Sequence, residues 1–105
     1  MGQMEDYGCD MRGMLSFQIL WLLSKRVMNG EELAEEIEKR RGEKPKAGTI
    51  YPALKSLSEK NLVKGSRKGK AVYYALTPAG SRVLGHAVDH FCSSFGEILR
   101  DRRKV

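Results

Sequence analysis

Four groups of side chains in this sequence could do chemistry, and their spacing separates them. His86 and His90 stand four residues apart with Asp89 between them, a spacing by which one helix face can offer two ligands to a metal ion. No third strong ligand accompanies them, and on a helix they fall opposite the apolar residues of the same segment. They read as solvent-facing, and neither metal nor cofactor is expected. Cys9 and Cys92 belong to no Cys-x-x-Cys pair, which fits a reducing compartment, and Cys92 reads as a small buried neighbour of Phe91 rather than an oxidant sensor. Glu31, Glu32, Glu35, Glu36 and Glu38 form a dense acidic run, but Lys39, Arg40 and Arg41 follow it and no histidine joins it. That order suits a helix dipole better than an acid–base pair. With no nucleophile motif and no phosphate loop, an enzyme is not expected.

The fourth group is cationic. The chain of 105 residues carries 19 Lys and Arg against 13 Asp and Glu, a formal net charge of +6, and the stretch 43–70 holds an excess equal to that whole sum. Lys44, Lys46, Lys55, Lys60, Lys64, Arg67, Lys68 and Lys70 lie there, opposed by Glu43 and Glu59 alone. Such focusing suits a polyanionic partner, and a solvated basic face is the plain alternative. The elements that carry these residues must decide between them.

With 41% hydrophobic and 30% charged residues, the chain has enough apolar material for one folded domain and is too short for a multidomain enzyme. Its longest apolar run, residues 19–23, is far below the ~18 residues of a membrane span. The N-terminus has acidic residues where a secretory leader is basic, and Asp6 where myristoylation needs Ser or Thr, so the expected compartment is the cytoplasm.

After a polar tail over 1–12, Leu15, Ile19, Leu22 and Leu23 recur at helical spacing and predict a first helix over about 13–26. A second stripe on it, Met14, Phe17 and Trp21, predicts cover on another side. Asn29 can cap a second helix that buries Leu33, Ala34 and Ile37 and that Gly42 closes. A third helix over about 47–60 buries Ile50, Leu54 and Leu57, and its opposite side presents Gly48, Pro52 and Lys55, flanked by Thr49, Tyr51 and Ser56. Pro52 argues for a break, and the periodic core argues for continuity. The stretches 62–66 and 71–76 read as strands of a hairpin with Val72, Tyr74 and Leu76 on one face and Arg67-Lys68-Gly69-Lys70 at its tip. Thr77 and Pro78 start a long last helix. Along it Leu84, Val88, Phe91, Phe95 and Ile98 alternate spacings of four and three, a narrow seam that seeks another helix.

Three helices followed by a hairpin with a basic tip is the order of a winged helix-turn-helix domain, here over 13–77, with 78–105 as a dimerisation helix and basic tail. The predicted class is mainly α with a small β-hairpin. In such a domain the third helix enters the major groove of DNA. Lys44, Lys46, Gly48, Thr49, Tyr51, Lys55 and Ser56 are then candidates for the groove and its phosphate walls, and Arg67, Lys68 and Lys70 for the neighbouring backbone. The last helix is too long for the body of a 100-residue domain. Its seam (Leu84, Val88, Phe91, Phe95, Ile98) and the stripe Met14, Phe17 and Trp21 are therefore expected to cover each other across a two-fold axis. Two recognition helices so joined predict a pseudo-palindromic operator with half-sites ~34 Å apart. Trp21, Phe91 and Phe95 are candidate walls for a flat hydrophobic effector, with plain interface packing as the alternative. The rival function is a winged helix that docks an acidic protein through Tyr51 and its basic surroundings, but the small polar face of Gly48, Thr49, Lys55 and Ser56 favours a duplex.

Three segments also resemble PadR-type regulators: Met28-Asn29-Gly30, then Ala47-Gly48-Thr49-Ile50-Tyr51-Pro52-Ala53-Leu54, then Tyr73-Tyr74-Ala75-Leu76-Thr77-Pro78-Ala79-Gly80. The resemblance spans about 14–84, and its specific part is Gly-Thr-Ile-Tyr-Pro-Ala-Leu. It implies a homodimeric transcriptional repressor joined through C-terminal helices, released from its operator by a small hydrophobic or aromatic effector. It also implies a proline carried within the recognition helix. This chain departs from the family at Glu31, where an aromatic is usual, and at Lys46, where Ser or Thr is usual. Losing a cap at Lys46 is expected to cost ~1 kcal/mol unless the lysine gains a phosphate contact.

Overall fold

The computed structural model describes residues 14–102. The expected tail over 1–12, the first residue of the predicted first helix, Cys9 and the last three residues lie outside that range. The chain runs α1 (14–23), β1 (Met28–Asn29), α2 (Gly30–Arg41), α3 (Ala47–Glu59), β2 (Val63–Lys68), β3 (Ala71–Leu76) and α4 (Pro78–Asp101). It is mainly helical with a small antiparallel sheet, as expected, and the winged-helix order holds.

Each boundary has a local cause. α1 ends at residue 23 rather than near 26, because the amide of Lys25 donates to the Leu22 carbonyl, three residues back, and tightens the last turn. That early end frees Met28 and Asn29 to pair with Tyr74 and Tyr73 as β1, an edge strand the sequence reading did not contain. Asn29 caps α2 as expected and does more: it forms a capping box with Glu32, each accepting from the other's backbone amide at 2.8 and 3.0 Å. Gly42 ends α2, its amide donating to the Glu38 carbonyl at 2.8 Å. α3 starts on Lys46, which makes no side-chain cap, and runs through Pro52 without a break.

The hairpin differs in detail from the expectation. Strand β2 continues through Lys68, so Arg67 and Lys68 lie within it, paired with Val72 and Ala71, and only Gly69 and Lys70 form the turn. Gly69 has φ +63°, which suits the first central position of a tight two-residue turn. The sheet order is β1-β3-β2. Its core-side face carries Met28, Val63, Gly65, Tyr74 and Leu76, with Arg67 and Val72 at the far end, while Lys64, Ser66 and Lys68 occupy the other face. Val72, Tyr74 and Leu76 thus share a face, although every residue of β3 is half-buried.

One core joins the elements: Leu15, Ile19, Leu22 and Leu23 of α1, Leu33 and Ile37 of α2, Ile50, Leu54 and Leu57 of α3, with Met28, Val63 and Leu84. The helix periodicities picked out the buried apolar side chains of α2 and α3 and four of the five of α1, missing Leu20, which is also buried in this core. Thr77 caps α4, accepting from the Gly80 amide at 2.9 Å, with Pro78 in the first turn. At 24 residues, α4 leaves the body behind, and the molecule measures 49 × 29 × 27 Å. Among the described residues no helix is long and apolar enough to cross a membrane.

Candidate nucleic-acid interface

The basic stretch folds into the second half of the domain without burying a charge. Among the described residues no charged side chain is buried, and Lys44, Lys46, Lys55, Lys60, Lys64, Arg67, Lys68 and Lys70 are all exposed. Lys44 differs from the others. Its ammonium is paired with the Glu31 carboxylate, and this hydrogen bond, with the charges of Glu31, Glu35 and Glu38 behind it, holds Lys44 above the ordinary lysine pKa. The pair ties the α2–α3 loop to the first turn of α2. Among the described residues, the remaining seven cations of the stretch make no ion pair, so their fields reach solvent unopposed at short range.

α3 presents its candidates on more than one side. Gly48, Thr49, Tyr51 and Lys55 are exposed, and Tyr51 is 47% so. Lys44, Lys46 and Thr49 border one concavity with Arg41, Glu43 and Pro45, so the loop and the first turn of α3 form a single basic hollow. Gly48, Thr49 and Ser56 border a second one with Leu15, Ser16, Pro52 and Ala53, between α1 and α3. Ser56 is half-buried there, turned toward α1 more than the expected outward face implied. The wing divides its cations by strand alternation: Lys64 and Lys68 on the outer face, Arg67 on the core-side face beyond the core, Lys70 in the turn.

The apolar candidates separate into two sets. Leu84 is 9% exposed and belongs to the core of its own chain, so it is not a free seam residue. Phe17 and Trp21 are half-buried and pack against that core, and the Phe17 and Phe91 rings lie 5.8 Å apart within one chain. The stripe on α1 is therefore covered in part by its own α4, because the helix returns across it before projecting. Phe91 and Phe95 continue the ladder at 5.0 Å. Phe17, Gln18, Trp21, Val88 and Phe91 line a groove of about 260 Å³. Trp21 is bracketed by two cations the sequence reading passed over, Lys25 Nζ at 4.5 Å and the Arg40 guanidinium at 5.1 Å from the ring centroid. Arg41 Nε donates to Gln18 Oε1 at 2.8 Å on the same side.

Met14 of α1 faces solvent, and on α4 Val88, Phe95, Ile98 and Leu99 are exposed. Leu99 was missing from the seam, although its i+4 relation to Phe95 signals it. Cys92 is exposed rather than buried beside Phe91, because α4 has by then passed the edge of the body. His86 and His90 face solvent, and among the described residues no three His, Cys, Asp or Glu side chains converge on one point.

The same architecture recurs in solved structures. A transcriptional regulator from Clostridium thermocellum superposes with a TM-score of 0.76 at 22% identity, over 86% of this chain and 94% of that one. A PadR family transcription regulator from Clostridium difficile R20291 gives 0.69 at 28% identity, over 81% and 97%. The transcriptional regulator BldR from Sulfolobus solfataricus gives 0.72 at 27% identity, over 84% and 61%. No curated protein is significantly similar in sequence. Helix order and wing, shared with these regulators, define a winged-helix DNA-binding transcription regulator. Residues 19–86 match the family model described as the transcriptional regulator PadR-like family, and the chain belongs to that family.

Proposed function

We propose that the protein is a cytoplasmic homodimeric repressor that places α3 of each protomer in successive major grooves of a pseudo-palindromic operator and is released by a flat hydrophobic effector. The observation that carries the reading is the set of exposed cations with no ion-pair partner among the described residues: Lys46 at the start of α3, Lys55 within it, and Lys64, Arg67, Lys68 and Lys70 on the wing. Their task is chiefly positional. Phosphate contacts supply affinity and set register, while sequence is read by the few side chains on the exposed side of α3, here Thr49, Tyr51, Lys55 and the close approach that Gly48 allows.

Dimerisation would use the outer part of α4, where Phe95, Ile98 and Leu99 are uncovered, with Val88 and Met14 at its margin. The spacing of the two recognition helices then depends on the angle at which α4 leaves α1. An effector wedged between Trp21 and Phe91 changes that angle and so the half-site spacing. It can shift the equilibrium only as far as it binds the DNA-incompetent spacing more tightly than the competent one. Selection of bound fragments from a random duplex pool, followed by salt titration of the best binder, tests the reading. A palindromic consensus with steeply salt-dependent affinity supports it, and the absence of both removes it.

A further inference from the structure

Tyr51 projects from the exposed side of α3, yet what lies beneath its ring belongs to α2. A β-carbon built on Gly30 would stand 2.6 Å from Cε1, Cζ and Oη of Tyr51. The phenol end of the ring therefore rests on the bare α-carbon of Gly30, the first residue of α2, which is buried. That seat is held firmly from behind. Asn29, its neighbour, is paired with Tyr73 in the sheet and locked to Glu32 by the capping box.

The first turn of α3 is less well tied than its seat. Lys46 supplies no side-chain cap, and Pro52 has no amide to donate back to Gly48. The ring of Tyr51 on Gly30 is thus a cross-brace between the capped helix and the uncapped one. A methyl group at position 30 cannot displace the backbone behind it. It must push the half-exposed ring outward, and the hydroxyl with it.

We propose that Gly30 is a positioning residue for DNA recognition: its missing side chain seats the Tyr51 phenol against the start of α2 and so sets where the Tyr51 hydroxyl meets a backbone phosphate of the duplex. The inference rests on the DNA-binding reading above. Gly30 touches no DNA itself and acts only through the ring.

The test uses the full chain and a fluorescein-labelled duplex recovered from a random-sequence pool. Affinity is measured for the unaltered protein, Gly30→Ala, Tyr51→Phe, Tyr51→Ala and the Gly30→Ala/Tyr51→Ala pair, with the folded fraction of each taken from thermal unfolding. Gly30→Ala and Tyr51→Phe should each weaken binding at least about tenfold, the scale of one hydrogen bond to a charged acceptor. The double variant should bind no more weakly than Tyr51→Ala, since a methyl at position 30 then has no ring to displace. The salt slope of Gly30→Ala should match that of the unaltered chain, because no charge is lost. A Gly30→Ala affinity within twofold of the unaltered value overturns the inference, as does an equal loss in the Tyr51→Ala background or a Tyr51→Phe variant that binds normally. Flat titrations for every protein, the unaltered one included, overturn the DNA-binding reading instead.

Discussion

The α-carbon of Gly80 lies against the backbone carbonyl of Leu62, so close that a β-carbon at position 80 would stand 2.0 Å from its oxygen. The same carbonyl accepts from the Thr77 amide at 3.1 Å, and the Thr77 hydroxyl donates to the Asn61 carbonyl at 2.7 Å. The first turn of α4 is thereby docked onto the entry to the hairpin, and the direction of the long helix is set there. Gly80→Ala is expected to cost about 3 kcal/mol, since the obstacle is backbone and cannot swing aside. For a domain of this size that lowers Tm by roughly 15 °C, checked by thermal circular dichroism. Thr77→Ala, which removes only the cap and one hydrogen bond, is expected to cost about 1 kcal/mol.

Salt dependence separates the cations. If each protomer of the proposed dimer neutralises roughly four phosphates, log affinity should fall against log salt with a slope near −7. Lys68→Ala or Arg67→Ala is expected to flatten that slope by about one per protomer. Lys44→Ala should flatten it less, because Glu31 already compensates that charge. Fluorescence anisotropy over a series of salt concentrations measures all three.

Charge placed on the outer part of α4 should split the proposed dimer. Ile98 is 61% exposed in the single chain, so Ile98→Glu leaves the domain core untouched and is expected to preserve Tm in a dilute sample. Sedimentation equilibrium should then report a monomer, and affinity for the selected palindrome should drop to that for an isolated half-site. A variant that remains dimeric assigns the interface elsewhere.

Two groups link stability to pH in opposite directions. Hydrogen bonds from Arg40 and then Lys39 hold the Glu36 carboxyl below its ordinary pKa. Its contribution is present above the ordinary glutamate range and is lost as pH falls through the lowered folded value. Glu36→Gln should therefore flatten part of the acid limb of a plot of denaturation midpoint against pH. Lys44 is raised, so its contribution is present below the ordinary lysine value and fades as pH climbs through the raised one. Glu36 is half-buried and Lys44 exposed, both lie at the surface, and both effects should be small and weakened by salt.

Trp21 is the one tryptophan of the chain, which makes the groove beside it observable. A flat aromatic ligand that enters between Trp21 and Phe91 should quench or shift the fluorescence and, over the same concentration range, release the duplex. Phe91→Ala should abolish the optical response before it abolishes DNA binding. Quenching without release would leave the groove a binding site with no regulatory consequence.

The sequence alone determined which segments form helices, most of the faces that α1, α2 and α3 bury, where two of the helices are capped or closed, and that the positive charge concentrates in the second half of the domain. Those properties depend on neighbours within one or two turns, so Leu33 and Ile37, Asn29, Gly42 and Thr77 announce themselves by spacing and type alone. Strand β1 left no trace because two residues have no period; it exists only because β3 offers an unpaired edge. Tertiary contact also withdrew Leu84 into its own core, engaged Lys44 with Glu31, exposed Cys92 and seated Tyr51 on Gly30. Each of these depends on the distance between elements far apart in the chain, and that distance is set by how the whole core packs, which no local pattern encodes.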